Sequence, residues 1–527
     1  MAEVGATSGI ESTAAGLAGL AGDPVQPGLP LRELVLAGRF FGERHSDGAA
    51  QLAAFLHGGL NAWELLRAWY GEALGELLAG GRDSLRAAID RDIAEIDAAL
   101  SLQLDAVLHT QRFLVFEGRW RGLAWLISGI EPGRRIKVRL LPVRWPELCR
   151  DLERALEFDQ SLTFKRIYED EFGMPGGEPY GLMVIDHALR HRSGPGATTD
   201  DVGAVGLLSA VAAAAFMPVV VSLHPSVLDV AEFSDLDGVR DVTAPLRDTE
   251  HVRWRSLAGR ADMRFVAVTL PRLLARLPWV DDPSRIDGFR YCEHSPDGAS
   301  RVWMSAGYAF AACAVRAFAE NSWPADVRGV ELDRVGGGLV TDLAPEPFAS
   351  GPSHAWPRTA IEYKLSHRQE QALVDVGLMP LSSLPFGPDM VFGAVRSMQA
   401  PASYTGATAA AAEANARLSS QINSMLCASR FAHLLKVMGR DMVGSFRTAD
   451  EIERQLNRWL QNYVNTNIES TGESRARFPL VEGEVQVRER PGKPGVFGCI
   501  MRLRPHYQLD DVSTTFHLVT EIAAPAG

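Results

Sequence analysis

Residues 117–123 read EGRWRGL: one glutamate and two arginines around a tryptophan, with a glycine on either side of the Arg-Trp-Arg core. Those residue types could serve three ends. They could stack and pair with a nucleic acid, clamp a phosphate, or pack and pair inside a wall of the protein. Other constellations are weaker. His187 and His191 are four apart, but a strand end and loop are expected there, and no glutamate lies between them as a zinc protease requires. Asp281–Asp282 and Asp510–Asp511 are adjacent carboxylates on expected loops, whereas a glycosidase needs two that face each other across a cleft. His433 and Lys436 share one helical stretch, RFAHLLKVMGRD. Among so many apolar neighbours, a buried hydrogen bond for the histidine and an outward salt bridge for the lysine are expected. The glycines at 336–338 lack the Lys and Ser/Thr of a phosphate loop, and no GxSxG or HExxH is present. No residue is therefore assigned as catalytic, cofactor-binding or metal-ligating.

Charge narrows the reading of EGRWRGL. With 53 Lys plus Arg against 65 Asp plus Glu, the net charge is −12, which disfavours a general nucleic-acid binder because phosphate neutralisation supplies most of that affinity. Five dispersed cysteines without CxxC argue against a zinc site or disulfide framework, and a reducing cytoplasm is expected. The first 30 residues carry Glu3 where a signal peptide has Lys or Arg, and read as a flexible lead. Residues 202–223 are uncharged and long enough to cross a bilayer, but Pro218 divides them into an Ala/Gly-rich helix and a β-branched strand, both suited to a core.

The elements that must hold these residues follow from periodicity. Over 83–110, Leu85, Ile89, Ile93, Ile96, Leu100, Leu104 and Val107 predict one long helix capped at Asp83 or Ser84. Its charges, Asp92 among them, are expected in solvent. EGRWRGL then reads as the turn into the next region, with Trp120 and Leu123 packed inward, Gly118 and Gly122 allowing close approach, and Glu117 pairing an arginine. Residues 134–143 alternate like a strand, a turn cluster at 173–181 precedes a strand at 182–189, and 264–270 is another strand. Helices return over 408–463, with Thr448 and Glu451 spaced as a capping box. Three alternating runs close the chain, around a turn at 491–495 and over 512–522. The expected class is mixed α/β: a layered α/β body with a helical N-terminal region and a small C-terminal sheet. The expected divisions are 1–30, 31–130, 131–407 and 408–527. An open edge on the last sheet would accept a strand from another chain.

Several stretches also fall in a recognisable order. RDIAEIDAALSLQLDAVLHTQRFLVFEGRWRGLAWLI, FKRIYEDEFGMPGGEPYG, RFVAVTLPRLLARLPW, GGGLVTDLAP, SRFAHLLKVMGRDMVGSF, LNRWLQNYV and LRPHYQLDDVSTTFHLV together resemble the large sheath subunit of bacterial type VI secretion systems, the TssC/VipB family. The WRGL element, Trp120, Arg121, Gly122 and Leu123, is its most recognisable piece. The resemblance implies a structural protein without catalytic residue or cofactor. It implies pairing of the 31–130 region with a small sheath subunit (TssB/VipA), and assembly with further copies into a helical contractile tube around an inner tube of Hcp. It also implies a baseplate, recycling by the AAA+ ATPase ClpV, and a cytoplasmic location. Strand exchange through Val512, Thr514, Phe516, Leu518 and Val519 is expected to link subunits. Two other readings stand beside it: an α/β hydrolase-like enzyme with a dispersed active site, and the sheath of a related extracellular or phage-like contractile particle.

Overall fold

The computed structural model describes residues 30–522 apart from 175, 195, 286–287, 331–334, 345, 352–353, 385–386, 403, 406–408, 443–447, 468–471, 490–496 and 507–515. Val512, Thr514, Asp510, Asp511 and the 491–495 turn lie outside the described residues. The chain divides into two units, one of residues 1–114 with 278–301, the other of 115–277 with 302–527.

The first unit is helical. Short helices α1 (Leu31–Leu36), α2 (Ser46–His57), α3 (Ala62–Tyr70) and α4 (Leu74–Ala79) precede the long α5 (Arg82–Leu108). Asn61 caps α3 with a complete capping box to Glu64. Helix α5 begins one residue before the expected cap, with Gly81 at φ +85° as its N-cap. Its periodic apolar stripe meets a core only at its start, where Leu85 packs against Tyr70, Leu74 and Ala88. Ile93, Leu100 and Val107 are about half exposed, and the buried positions are Ala88, Asp92 and Asp105. Asp92 is thus not a solvated charge: it accepts from Arg32 Nε at 2.7 Å and Trp69 Nε1 at 2.8 Å. Asp105 accepts from Tyr291 Oη at 2.6 Å.

The second unit carries the layered body. Helix α6 (Gln111–Ser128) runs into it, and α7 (Trp145–Arg154) follows. The main sheet contains β1 (Met183–Leu189), β2 (Val219–Leu223), β3 (Val266–Leu270) and β5 (Met379–Pro380) in that spatial order, each neighbouring pair parallel. Between β1 and β2, helix α8 (Asp201–Ala215) makes the crossover. The Asp200 carboxylate caps it by accepting from Gly203 N, and Phe216 ends it at φ 49°, ahead of Pro218. The uncharged 202–223 stretch is therefore a buried helix and strand, and among the described residues no helix is long and apolar enough to cross a membrane. Alternation in β2 sets the layers. Val219 joins a core with α8 residues Leu208, Val211 and Ala212. Val220 joins a second core with Ala309, Phe310 and Cys313 of α9 (Ala306–Asn321). A two-residue strand, β4 (Trp303–Met304), precedes α9.

Helices α10 (Ala409–Ser419), α11 (Ile422–Met442) and α12 (Ala449–Gln461) follow, the last with the expected Thr448–Glu451 capping box. Strands β6 (Leu480–Glu489), β7 (Phe497–Pro505) and β8 (Phe516–Ile522) form an antiparallel sheet in that order. Val485, Val487, Cys499, Met501 and Leu503 bury one face of it against Leu435, Leu456 and Leu460.

One expected strand is not formed. Residues 136–144 run free of helix, turn and bend, yet belong to no ladder among the described residues.

Candidate assembly surfaces

EGRWRGL lies inside α6 and is no turn. Its glycines are helical positions across which other elements pass. A Cβ on Gly118 would lie 2.1 Å from Trp303 O, and one on Gly122 would lie 2.6 Å from Tyr308 Cδ2. Small residues here let β4 and α9 close on the helix. Glu117 points between two guanidinium groups, accepting from Arg121 Nε at 2.7 Å and Arg276 Nε at 2.6 Å. Burial would push its carboxyl up, but Arg276 and Arg121 outweigh it and hold the group below the usual range. Arg119 reaches toward Asp186, 3.9 Å away. The arginines therefore pair with carboxylates, and Leu123 is half-buried against the α9 core. Trp120 corrects the expectation of inward packing: it is 52% exposed, edge-on to the exposed Phe116 at 6.3 Å.

The C-terminal sheet has differently finished edges. Along β6, helix α12 supplies side chains in place of a strand. Asn457 Nδ2 donates to Val485 O at 2.7 Å, and Val485 N donates to Asn457 Oδ1 at 2.8 Å. Val487 N donates to Glu453 Oε2 at 2.8 Å, and Gln461 Nε2 donates to Gly483 O at 3.0 Å. These bonds close that edge to another chain. On the other side, β8 pairs Phe516 with Leu503, Leu518 with Met501 and Val519 with Ile500, so these three residues lie in a strand of their own chain's sheet.

The polar clusters that could have supported chemistry are structural ones. Asp201 is saturated by Trp145 Nε1 at 2.7 Å, His187 Nε2 at 3.0 Å, Arg190 N at 3.0 Å and Thr199 Oγ1 at 2.8 Å. His191 stacks on His251 with ring centroids 4.1 Å apart. Among the described residues no group of three or more His, Cys, Asp or Glu could hold a metal. His433 is buried and bonds Ala215 O through Nε2 at 3.0 Å, as expected, and burial pushes its imidazole down to about 4. Lys436 departs from the outward salt bridge. Its ammonium sits 4.7, 5.0 and 4.8 Å from the ring centroids of Tyr168, Phe172 and Phe216 and donates to Tyr168 Oη at 3.1 Å. Burial pushes the amine down to about 8, while the three ring faces favour the ammonium.

What this geometry offers, then, is packed interlocks, one capped sheet edge and exposed apolar faces. Sequence comparison gives the class to which such a body belongs. Two VipB family models match: the EvpB tail sheath N-terminal domain over residues 90–399, and the EvpB tail sheath gpW/gp25-like domain over 411–522. The chain is also 34% identical over 440 residues to the type VI secretion system sheath protein TssC1 of Pseudomonas aeruginosa, covering 82% of this chain and 86% of that one. The chain belongs to the TssC/VipB family of type VI secretion sheath proteins. It is a structural sheath subunit and not an enzyme.

Proposed function

We propose that this chain pairs with a small sheath subunit of the TssB/VipA kind, and that the heterodimers stack into a helical tube around an inner Hcp tube. The tube starts on a baseplate at the cell envelope, lies in the cytoplasm, contracts to drive the inner tube outward, and is taken apart by a ClpV-type ATPase. The observation that carries this reading is family membership across four-fifths of the chain. The architecture is compatible with it. Heterologous contacts repeated between copies generate an open filament, and two alternative packings of one interface can store the energy released on contraction. The 512–522 stretch, with Val512, Thr514, Phe516, Leu518 and Val519, is the proposed linker between neighbouring subunits, exchanging strands at the edge that α12 leaves uncapped. The 31–130 region is the proposed contact with the small subunit, because α5 keeps Ile93, Leu100 and Val107 uncovered.

The test is co-expression with the small sheath subunit and purification through a tag on the latter. The two chains should elute together as large particles. Phe516→Pro, which removes a ladder donor, should leave a small soluble heterodimer with the body folded. Large particles from that variant would refute the strand-exchange assignment, and failure of the wild-type chains to co-purify would refute the pairing itself.

A further inference from the structure

Residues 136–141, IKVRLL, present a strand pattern that has no ladder partner among the described residues. Lys137 Nζ bonds Glu178 at 2.8 and 2.6 Å, and Arg139 bonds Glu171 and, at 3.0 Å, Tyr180 Oη. Two residues two apart reach one cluster on the body, so the backbone here is extended, as side-chain period 2 requires. The charged side keeps much of its surface in solvent, Lys137 68% and Arg139 47% exposed, with its head groups tied to the body. The apolar side is exposed too, with Val138 43% and Leu140 61% in solvent. Among the described residues, the backbone N–H and C=O groups of 136–140 make no hydrogen bond, and Pro142 follows. An extended stretch with exposed apolar side chains and a backbone unpaired among the described residues is a prepared edge.

We propose that residues 136–141 are a docking strand that completes a β-ladder with a strand of a different polypeptide chain. The incoming strand carries apolar residues at alternate positions to cover Val138 and Leu140, and acidic residues at its ends. Two observations favour a different chain over the same segment of a second copy. The stretch 134–144 holds five basic residues, Arg134, Arg135, Lys137, Arg139 and Arg144. Self-pairing would set like charges across the ladder, which is destabilising. Arg135 has no carboxylate partner among the described residues, which leaves a cation for the incoming strand. The mode is strand addition, in which backbone bonds give affinity and alternate side chains give specificity.

The identity of the partner rests on the proposed heterodimer, so the experiment separates the two. Amide hydrogen exchange is followed in the isolated chain and in its complex with the small sheath subunit, for wild type and Val138→Pro. The isolated chain should exchange 136–140 rapidly. The complex should slow alternate amides of that stretch more than about tenfold. Val138→Pro removes an amide that bonds nothing among the described residues, so its thermal midpoint should match wild type while its affinity for the small subunit falls more than about tenfold. If the complex forms but 136–140 exchange as fast as before and Val138→Pro binds normally, the docking strand is overturned while the heterodimer stands. Protection of 136–140 in the isolated chain that rises with its own concentration would also overturn it, in favour of a second copy. Absence of any wild-type complex would overturn the partner and the heterodimer together.

Discussion

At the scale of single residues, EGRWRGL separates into parts with opposite duties. Gly118 and Gly122 exist to be passed closely, so Gly122→Ala should destabilise the isolated chain by about 1–3 kcal/mol as its Cβ meets the Tyr308 ring. Trp120→Ala should cost under about 1 kcal/mol in chemical denaturation, because the ring is half in solvent. A loss of several kcal/mol at Trp120 would show that the ring is buried in solution. His433 gives a pH signature. Its folded-state value of about 4 lies below the ordinary 6.5, so in that window the unfolded chain binds a proton that the folded chain refuses. Its contribution to stability is complete above 6.5 and is lost as pH falls toward 4. His433→Gln keeps a donor for Ala215 O and should flatten that part of the thermal-midpoint profile; an unchanged profile would mean another group sets it. The charges of EGRWRGL were legible in the sequence as partners for carboxylates. The direction of Trp120 was not, because glycines that read as a turn are in fact helical contacts with Trp303 and Tyr308, nearly two hundred residues away.

At the scale of elements, local composition and alternation specify segments whose structure is set nearby in the chain. The 202–223 stretch announced its helix, its break at Pro218 and its buried strand through composition alone, and the β6–β7 hairpin followed from alternation. Such local reading falls short where the partner is distant in the sequence. The apolar stripe of α5 has correct helical spacing, yet periodicity cannot say how much of a stripe meets its own core, and here Leu85 does while Ile93, Leu100 and Val107 do not. Asp92 looked like one charge among six until Arg32 and Trp69 folded onto it. The strand pattern at 134–143 is also real as a pattern, but no ladder partner for it lies among the described residues. Asn457 shows the reverse device, a side chain that stands in for a strand. Asn457→Ala would leave the amide and carbonyl of Val485 unpaired, costing about 2 kcal/mol, and would uncap the β6 edge. Thermal denaturation should show the loss, and sedimentation should show concentration-dependent self-association absent from wild type. A monomeric, fully stable variant would mean that the edge needs no cap.

At the scale of the whole molecule, the family assignment turns on many segments in register and on no single motif. That is physically reasonable for a chain whose work is done by surfaces. Interface residues need shape and backbone exposure more than particular chemistry, so they leave weak local signatures. A catalytic constellation would have been readable from a few side chains; a packing wall is readable only as an ordered whole. Electron microscopy tests most directly whether this body works as one repeating unit of a sheath. When this chain and the small sheath subunit are produced together, the images should show hollow tubules of uniform diameter containing both chains. Discrete particles of fixed size, or a chain that stays monomeric beside its folded partner, would contradict it.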